Sequence, residues 1–189
     1  FSGHKFHAPR GIGFIYARRG RKIAPLLTGG GQERNLRSGT ENLPAIAAMA
    51  KALRLLLDNE PTKVDTQRQI KERIFNHVKD FPLVTTFSED NDGFAPHILC
   101  FAIRGVRGET IVHAFEEHEI YISTTSACSS KKHLASSTLT AMRIPEEVST
   151  SAIRISLDEH NTLAEADEFN TVFDQLYKQF EKLSNTSAD

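Results

Sequence analysis

Three side chains in this sequence have the chemistry to take part directly in a reaction. Lys5 ends the segment of residues 2–5 (SGHK), Cys128 stands in residues 126–129 (SACS), and Arg154 lies in an alternating apolar stretch. A lysine amine can bond covalently to a carbonyl group and move protons, and a thiolate is a nucleophile. An arginine can bind a carboxylate through two parallel hydrogen bonds.

Each of these residues also has an ordinary structural interpretation. Lys5 could be a solvated lysine near a chain end, since lysines are mostly exposed. Cys128 precedes residues 131–133 (KKH), whose cations would lower the pKa of a nearby thiol, but it could also be an incidental surface cysteine. Arg154 could bind a carboxylate or cap the exposed face of a sheet. The residues alone leave these alternatives open.

Two loops are predicted near the start of the chain. Around Lys5 lie Pro9 and three glycines, Gly3, Gly11 and Gly13, which predict a tight loop, and then an apolar run predicts a strand over residues 13–16. The second loop covers residues 28–42 and contains three consecutive glycines. Glycines let a backbone approach a ligand closely, and backbone amides can bind anions. This segment is therefore either a flexible loop or an anion-binding loop.

Hydrophobic periodicity predicts the remaining elements. We predict strands over residues 83–87, 98–103, 120–122 and 151–157, and helices from Pro44 to about 58 and over residues 63–79, 109–118 and 136–142. A capping box of Thr162 and Glu165 opens a last helix. Strands that alternate with helices indicate an α/β or α+β layer.

The periodicity also predicts which faces of two helices are buried. In the first long helix we expect the stripe of Ile46, Met49, Leu53 and Leu56 to pack inward. In the last helix the predicted core stripe begins at Phe169 and continues to Leu183. Residues 184–189 are predicted to form a disordered tail.

Composition excludes several classes of function. The chain has 189 residues, 39% of them hydrophobic, and a net charge of −1, which suits a packed core but does not attract nucleic acid or an anionic membrane. No apolar run reaches the roughly 20 residues needed to span a bilayer. Two cysteines are too few for a disulfide framework, and Cys100 lies in an apolar run that indicates a packing role. The eight histidines lack a closed ligand set, so we expect no metal site. With no membrane-spanning run and no basic-then-apolar leader at Phe1, we expect a cytoplasmic protein.

Five motifs occur in an order that is typical of one enzyme family. They are residues 2–5 (SGHK) with 9–13 (PRGIG), residues 29–34 (GGGQER), residues 37–42 (RSGTEN), residues 126–129 (SACS) and residues 153–157 (IRISL). With these motifs the sequence resembles the cysteine desulfurases of the NifS/IscS type, which are class V aminotransferases that use pyridoxal phosphate. The resemblance covers the chain from residue 2 to about residue 180.

The resemblance implies the C-terminal part of an aspartate-aminotransferase-like (type I) fold of the α/β class. Family members have roughly as much chain again before the lysine loop. A sequence that begins at Phe1 rather than Met fits an origin inside a longer reading frame or after processing. Residues 1–42 would then be the C-terminal remnant of the large cofactor-binding domain. Residues 43–189 would be the linking helix and a complete small α+β domain.

The resemblance also implies cofactor-binding roles for four residues. Lys5 would hold pyridoxal phosphate covalently and would move a proton at the substrate Cα. Ser2 and His4 would hydrogen-bond the phosphate of the same cofactor. Thr40 would reach the cofactor phosphate of the other subunit, which implies a homodimer.

The implied activity is conversion of L-cysteine to L-alanine, with the sulfur transferred as a persulfide. Arg154 would bind the substrate α-carboxylate, and the thiolate of Cys128 would attack the substrate sulfur from a flexible loop. A sulfur-acceptor protein would then supply iron–sulfur cluster assembly, thio-cofactors or tRNA thiolation. Since part of the cofactor site would lie in the absent half, we predict that these 189 residues alone are inactive.

Two alternatives to this activity follow from the same residues. One is another class V enzyme, such as a selenocysteine lyase or an aminotransferase. Sulfur transfer to a protein thiol would need Cys128, whereas transamination would not. The other is a non-enzymatic module for dimerisation or acceptor binding.

Overall fold

The computed structural model describes residues 1–58, 60–89, 91, 93–125 and 136–186. The chain forms two compact units, Phe1–Glu60 and Pro61–Asp189. The division expected after residue 42 refers to the domains of a longer protein and stays a prediction.

The first unit consists mostly of loops. Its elements are a 3₁₀ helix at Gly3–Phe6, a four-residue helical turn α1 at Gln32–Asn35 and a long helix α2 at Leu43–Asp58. The strand predicted over residues 13–16 is wrong, since Gly13 forms only an isolated bridge with Ser2. Residues 14–16 pair with no strand among the described residues, and a strand needs a hydrogen-bonded neighbour.

Helix α2 has the predicted bounds but not the predicted burial. None of its residues is buried, and the expected stripe of Ile46, Met49, Leu53 and Leu56 is only half-buried. Leu43 is 70% exposed. The physical reason is size, because a unit of about 60 residues has a large surface for its volume and cannot cover a whole helix face.

The second unit is built around an antiparallel sheet. Its elements in chain order are α3 (Glu60–Val78), β1 (Val84–Thr86), β2 (Ile98–Ile103), α4 (Gly108–Glu116), β3 (Ser123–Thr124), α5 (Ser137–Ala141), α6 (Glu146–Ser149), β4 (Ala152–Ser156) and α7 (Leu163–Thr186). The four strands lie in the order β1-β2-β4-β3, and each neighbouring pair is antiparallel. This arrangement confirms the strands predicted over residues 83–87, 98–103 and 151–157.

The two faces of the sheet have different surroundings. Alternate residues of β2 and β4, such as Phe101 and Ile153, are fully buried in a core that α3, α4 and α7 complete. Aromatic rings fill much of this core, and the rings of Phe115 and Phe169 stack 5.0 Å apart. On the opposite face a smaller cluster around Ala102 covers part of the sheet. The rest of that face carries Cys100, Arg154 and Ser156.

The strand predicted over residues 120–122 is displaced toward the C-terminus. The structure has β3 at Ser123–Thr124, where these two residues pair with Arg154 and Ile153 of β4. Residue Ile120 instead donates its backbone N–H to the carbonyl of Phe115 at the end of α4, at 3.1 Å. This helix-terminal bond takes the donor that a longer strand would need.

Helix α7 is longer than predicted. It continues to Thr186, so a disordered tail from residue 184 is wrong for residues 184–186, and residues 187–189 lie outside the described residues. The predicted stripe is buried as far as Phe180, which is 2% exposed, but Leu183 is 49% exposed. The buried stripe therefore ends nearly two turns before the helix does.

A capping box fixes the start of α7, as predicted. The carboxylate of Glu165 accepts the backbone N–H of Thr162 at 2.6 Å, and Thr162 Oγ1 accepts the backbone N–H of Glu165 at 3.3 Å. Replacing Thr162 with alanine is expected to lower the free energy of unfolding by about 0.5–2 kcal/mol, because one N-terminal amide of the helix loses its acceptor. Urea denaturation of the two proteins would measure the change.

The matched control is Thr171→Ala, an exposed position within the same helix. Alanine is favourable in a helix interior, so this change should not destabilise the protein. The hydrogen bond from the Thr162 backbone N–H holds the pKa of Glu165 below its usual value. The ionised Glu165 carboxylate therefore stabilises the folded protein above the ordinary carboxyl pKa, and this stabilisation is lost as the pH falls through the lowered pKa. Equal losses at residues 162 and 171 would contradict the capping role.

Candidate active site

Backbone hydrogen bonds close the loop that carries Lys5. The amide of Gly3 donates to the carbonyl of Ile12 at 2.9 Å, and the amide of Phe14 donates to the carbonyl of Phe1 at 3.0 Å. Gly3 is buried, and a Cβ at this position would lie 2.8 Å from the Ile12 oxygen. Such a contact is too close for any side chain, so the glycine lets the two arms of the loop pack together.

The closed loop presents Lys5 on a short helical turn. The Lys5 amide donates to the carbonyl of Ser2 at 3.0 Å, and His7 ends the turn with a φ of 67°. The side chains of Ser2, His4 and Lys5 are exposed. Within the described residues none of the three has a side-chain hydrogen bond or ion pair, so an amine, an imidazole and a hydroxyl are free to meet a ligand on one turn.

Thr40 lies in the glycine-rich loop of the same unit. This loop is closed internally, because Ser38 donates its amide to the Leu27 carbonyl at 3.0 Å and its hydroxyl to the Gly30 carbonyl at 2.9 Å. Gly39 has a φ of 111°, which favours glycine, and Thr40 follows it with an exposed side chain. The loop is ordered by these bonds, while its anion-binding role stays a prediction.

Arg154 lies in the second unit, on the less covered face of the sheet. Its register partners are Cys100 on β2 and Ser123 on β3, so the three residues share one row across the strands. The side chain is half-buried, and its Nε donates to Ser156 Oγ at 3.2 Å. No acidic residue in the described ranges pairs with Arg154. A half-buried arginine of this kind can accept an external carboxylate.

The neighbouring thiol of Cys100 is neutral at physiological pH. Burial raises its pKa to about 11, although the positive charge of Arg154 acts in the opposite direction. A neutral thiol does not compete with a ligand carboxylate for Arg154. The half-burial of Cys100 agrees with the packing role expected from its apolar run.

Cys128 lies outside the described residues, so its predicted role is not tested by the structure. Of the other predicted site residues, the structure brings Ser2, His4 and Lys5 together on one turn. It places Thr40 in a loop of the same unit and Arg154 in the other unit.

Two neighbours of Arg154 were not predicted as site residues. The alternation of residues 153–157 does place Ser156 on the same face as Arg154, and this signal was sufficient to find it. Cys100 comes from a different strand, and its position beside Arg154 depends on a strand register that local sequence does not specify.

A cavity of about 460 Å³ occurs in the second unit. Its lining combines Ile120, Ile155 and Phe169 with the polar side chains of Glu119 and Asn161, and it does not include Arg154. Its lining does include Ser156, whose hydroxyl accepts the hydrogen bond from Arg154.

The described residues contain no helix long and apolar enough to cross a membrane. They also contain no cluster of three metal-ligating side chains.

Known proteins resemble this chain in both sequence and fold. Residues 1–169 match the family described as Aminotransferase class-V, and the chain belongs to this family. Within it, the chain is similar to a NifS/IcsS protein homolog from Lactobacillus delbrueckii subsp. bulgaricus, with 58% identity over 98% of this chain and 48% of that protein. It is also similar to the cysteine desulfurase IscS of Dictyoglomus turgidum, with 32% identity over 98% of this chain and 46% of that protein.

A solved structure supports the same relationship. The structure of a NifS-like protein superposes with a TM-score of 0.77 and 31% identity, over 94% of this chain and 45% of that one. These comparisons confirm the resemblance to the NifS/IscS type and the α/β fold class predicted from the sequence. The chain spans about half the length of the curated relatives that it matches.

Proposed function

We propose that this chain supplies part of the active site of a pyridoxal-phosphate-dependent cysteine desulfurase, as the C-terminal half of a longer protein. The observation that carries the proposal is the closed loop of residues 1–14, which presents Lys5 without a partner among the described residues. Relatives that share this segment are named cysteine desulfurases. The activity, the substrate and the partners that follow are proposals of the same kind.

The residues of the first unit fit the cofactor chemically. Pyridoxal phosphate, when bound, supplies an electron sink for negative charge at a substrate Cα. Lys5 would hold it covalently through its amine and would then move a proton at the Cα. Ser2 and His4 would donate hydrogen bonds to the phosphate, since both side chains are exposed, His4 on the turn that carries Lys5 and Ser2 directly before it. Thr40 would donate a hydrogen bond to the cofactor phosphate of the second subunit in a homodimer.

The second unit binds the substrate and accepts its sulfur. Arg154 holds the α-carboxylate of L-cysteine, which its lack of an acidic partner among the described residues permits. The Cys128 thiolate forms a bond to the substrate sulfur while the carbon–sulfur bond of the substrate breaks. The electron pair stays on the carbon and takes up a proton, so the products are L-alanine and a persulfide on Cys128.

The persulfide then passes to a sulfur-acceptor protein, which serves iron–sulfur cluster assembly or the thiolation of cofactors and tRNA. We propose that the 189 residues alone do not complete this cycle. The support is that the relatives are about twice as long as the segment they share with this chain.

The test is to express the native protein from its own reading frame and to measure its mass, its visible absorbance and alanine release from L-cysteine. A yellow protein of about twice this length that releases alanine would support the proposal. A colourless native chain that begins near Phe1 and releases none would contradict it and favour a binding module. The 189-residue chain assayed beside it tests the expected inactivity of the isolated half.

A further inference from the structure

One hydrogen bond in the second unit restricts how Arg154 can meet a ligand. Ser156 follows Arg154 by two positions on β4, so both side chains lie on the same face of the sheet. The Nε of Arg154 donates to Ser156 Oγ at 3.2 Å. Among the described residues, the Ser156 hydroxyl is the hydrogen-bond partner of the Arg154 guanidinium.

This bond leaves the far edge of the guanidinium for an external ligand. An arginine can hold a carboxylate through Nε and one terminal nitrogen, or through its two terminal nitrogens. Because Nε already donates to Ser156, the first arrangement would require that bond to break. The two terminal nitrogens therefore remain as the pair that can bind both carboxylate oxygens.

We infer that Ser156 is a positioning residue that directs the terminal nitrogens of Arg154 toward the substrate carboxylate. The inference rests on the proposed function, because it deepens the substrate-binding role of Arg154. An arginine side chain has many rotamers, and holding it in one of them before the ligand arrives lowers the entropy lost on binding.

The other neighbours in the row do not hold the guanidinium. Ser123 Oγ donates to the backbone carbonyl of Arg154, at 3.4 Å, and not to its side chain. Cys100 faces Arg154 from β2 as a neutral thiol. Ser123 is therefore a matched control for Ser156, since the same Ser→Ala change one strand away leaves the guanidinium contact in place.

The experiment compares Ser156→Ala, Ser156→Thr and Ser123→Ala in the native full-length protein. We expect Ser156→Ala to raise the KM for L-cysteine by about 3- to 10-fold while kcat changes less than about 2-fold, since a charge-assisted hydrogen bond is lost without loss of a reacting group. Ser156→Thr keeps a hydroxyl and should restore the KM. Ser123→Ala should keep the KM of the starting protein. Equal KM values for Ser156→Ala and the starting protein would overturn the inference.

A double-mutant cycle separates positioning from a merely structural role. In an Arg154→Ala background, Ser156→Ala should have no further effect on the KM, because the group it positions is absent. An additive increase would overturn the inference. The Nε–H signal of Arg154 in side-chain nitrogen NMR gives a readout besides activity, and its exchange with water should become faster in Ser156→Ala.

These measurements also distinguish failure of the inference from failure of the proposed function. If Arg154→Ala raises the KM but Ser156→Ala does not, Arg154 binds substrate without help from Ser156, and only the inference is overturned. If Arg154→Ala leaves the KM unchanged, or the native protein releases no alanine, the proposed role of Arg154 is wrong and the inference is overturned with it.

Discussion

Replacing Lys5 with alanine in the native protein should abolish release of alanine from L-cysteine, with a fall on the order of 10³-fold or more. The amine of Lys5 is the group that would both hold the cofactor and move the proton at the substrate Cα. The variant should also lose the visible absorbance of a cofactor bound covalently to lysine. Alanine release and absorbance spectra measure the two effects.

The fold should survive this change. The Lys5 side chain is exposed and has no partner among the described residues, whereas the loop is closed by backbone bonds that alanine retains. Thermal unfolding of the variant should therefore match that of the starting protein. Lys22→Ala is the matched control, because Lys22 is an exposed lysine of the same unit in a basic turn without an assigned role.

Chemical rescue would strengthen the assignment of Lys5. A small primary amine added to the Lys5→Ala variant should restore part of the activity, since it replaces the missing group. A variant that keeps both its covalent cofactor and its alanine release would show that another amine does this work, and the proposed role of Lys5 would be wrong.

Local sequence was sufficient where local chemistry decides the structure. The capping box of Thr162 and Glu165 forms as predicted because both hydrogen bonds join residues three positions apart. The strand that carries Arg154 also has the predicted alternation, since side chains on a strand point to opposite faces in turn. The same alternation places Ser156 beside Arg154.

Local sequence was not sufficient where distant segments decide the structure. Residues 120–122 have strand propensity, but a bond from Ile120 to the end of α4 moves the strand to Ser123–Thr124. The proximity of Cys100 and Arg154 depends on the register between β2 and β4, which are separated by about fifty residues. The apolar stripe of α2 was identified, but its burial depends on what surrounds it, and periodicity gives no information on that.

Replacing Cys128 with serine should abolish the persulfide and stop alanine release, with a fall on the order of 10³-fold, because a serine hydroxyl is not ionised at neutral pH and cannot accept the sulfur. Binding of the cofactor should persist, since Cys128 has no proposed contact with it. Mass spectrometry after incubation with L-cysteine would detect the added sulfur on the starting protein and its absence from the variant.

Cys100→Ser is the matched control, because the two cysteines of the chain differ in their chemistry. Because burial raises the pKa of Cys100 to about 11, its thiol stays protonated at pH 8, so it should neither accept sulfur nor react quickly with iodoacetamide. Cys128, which the cationic residues 131–133 follow closely in the sequence, should be alkylated first.

The same variant distinguishes the two enzyme classes that the sequence left open. Transamination transfers an amino group and needs no protein thiol, so an aminotransferase would keep its activity after Cys128→Ser. A cysteine desulfurase would lose sulfur transfer while retaining its cofactor. Loss of sulfur transfer in Cys128→Ser together with its retention in Cys100→Ser would therefore assign the reaction to Cys128. Amino-group transfer that persists in both variants, with no sulfur transfer by the starting protein, would favour an aminotransferase.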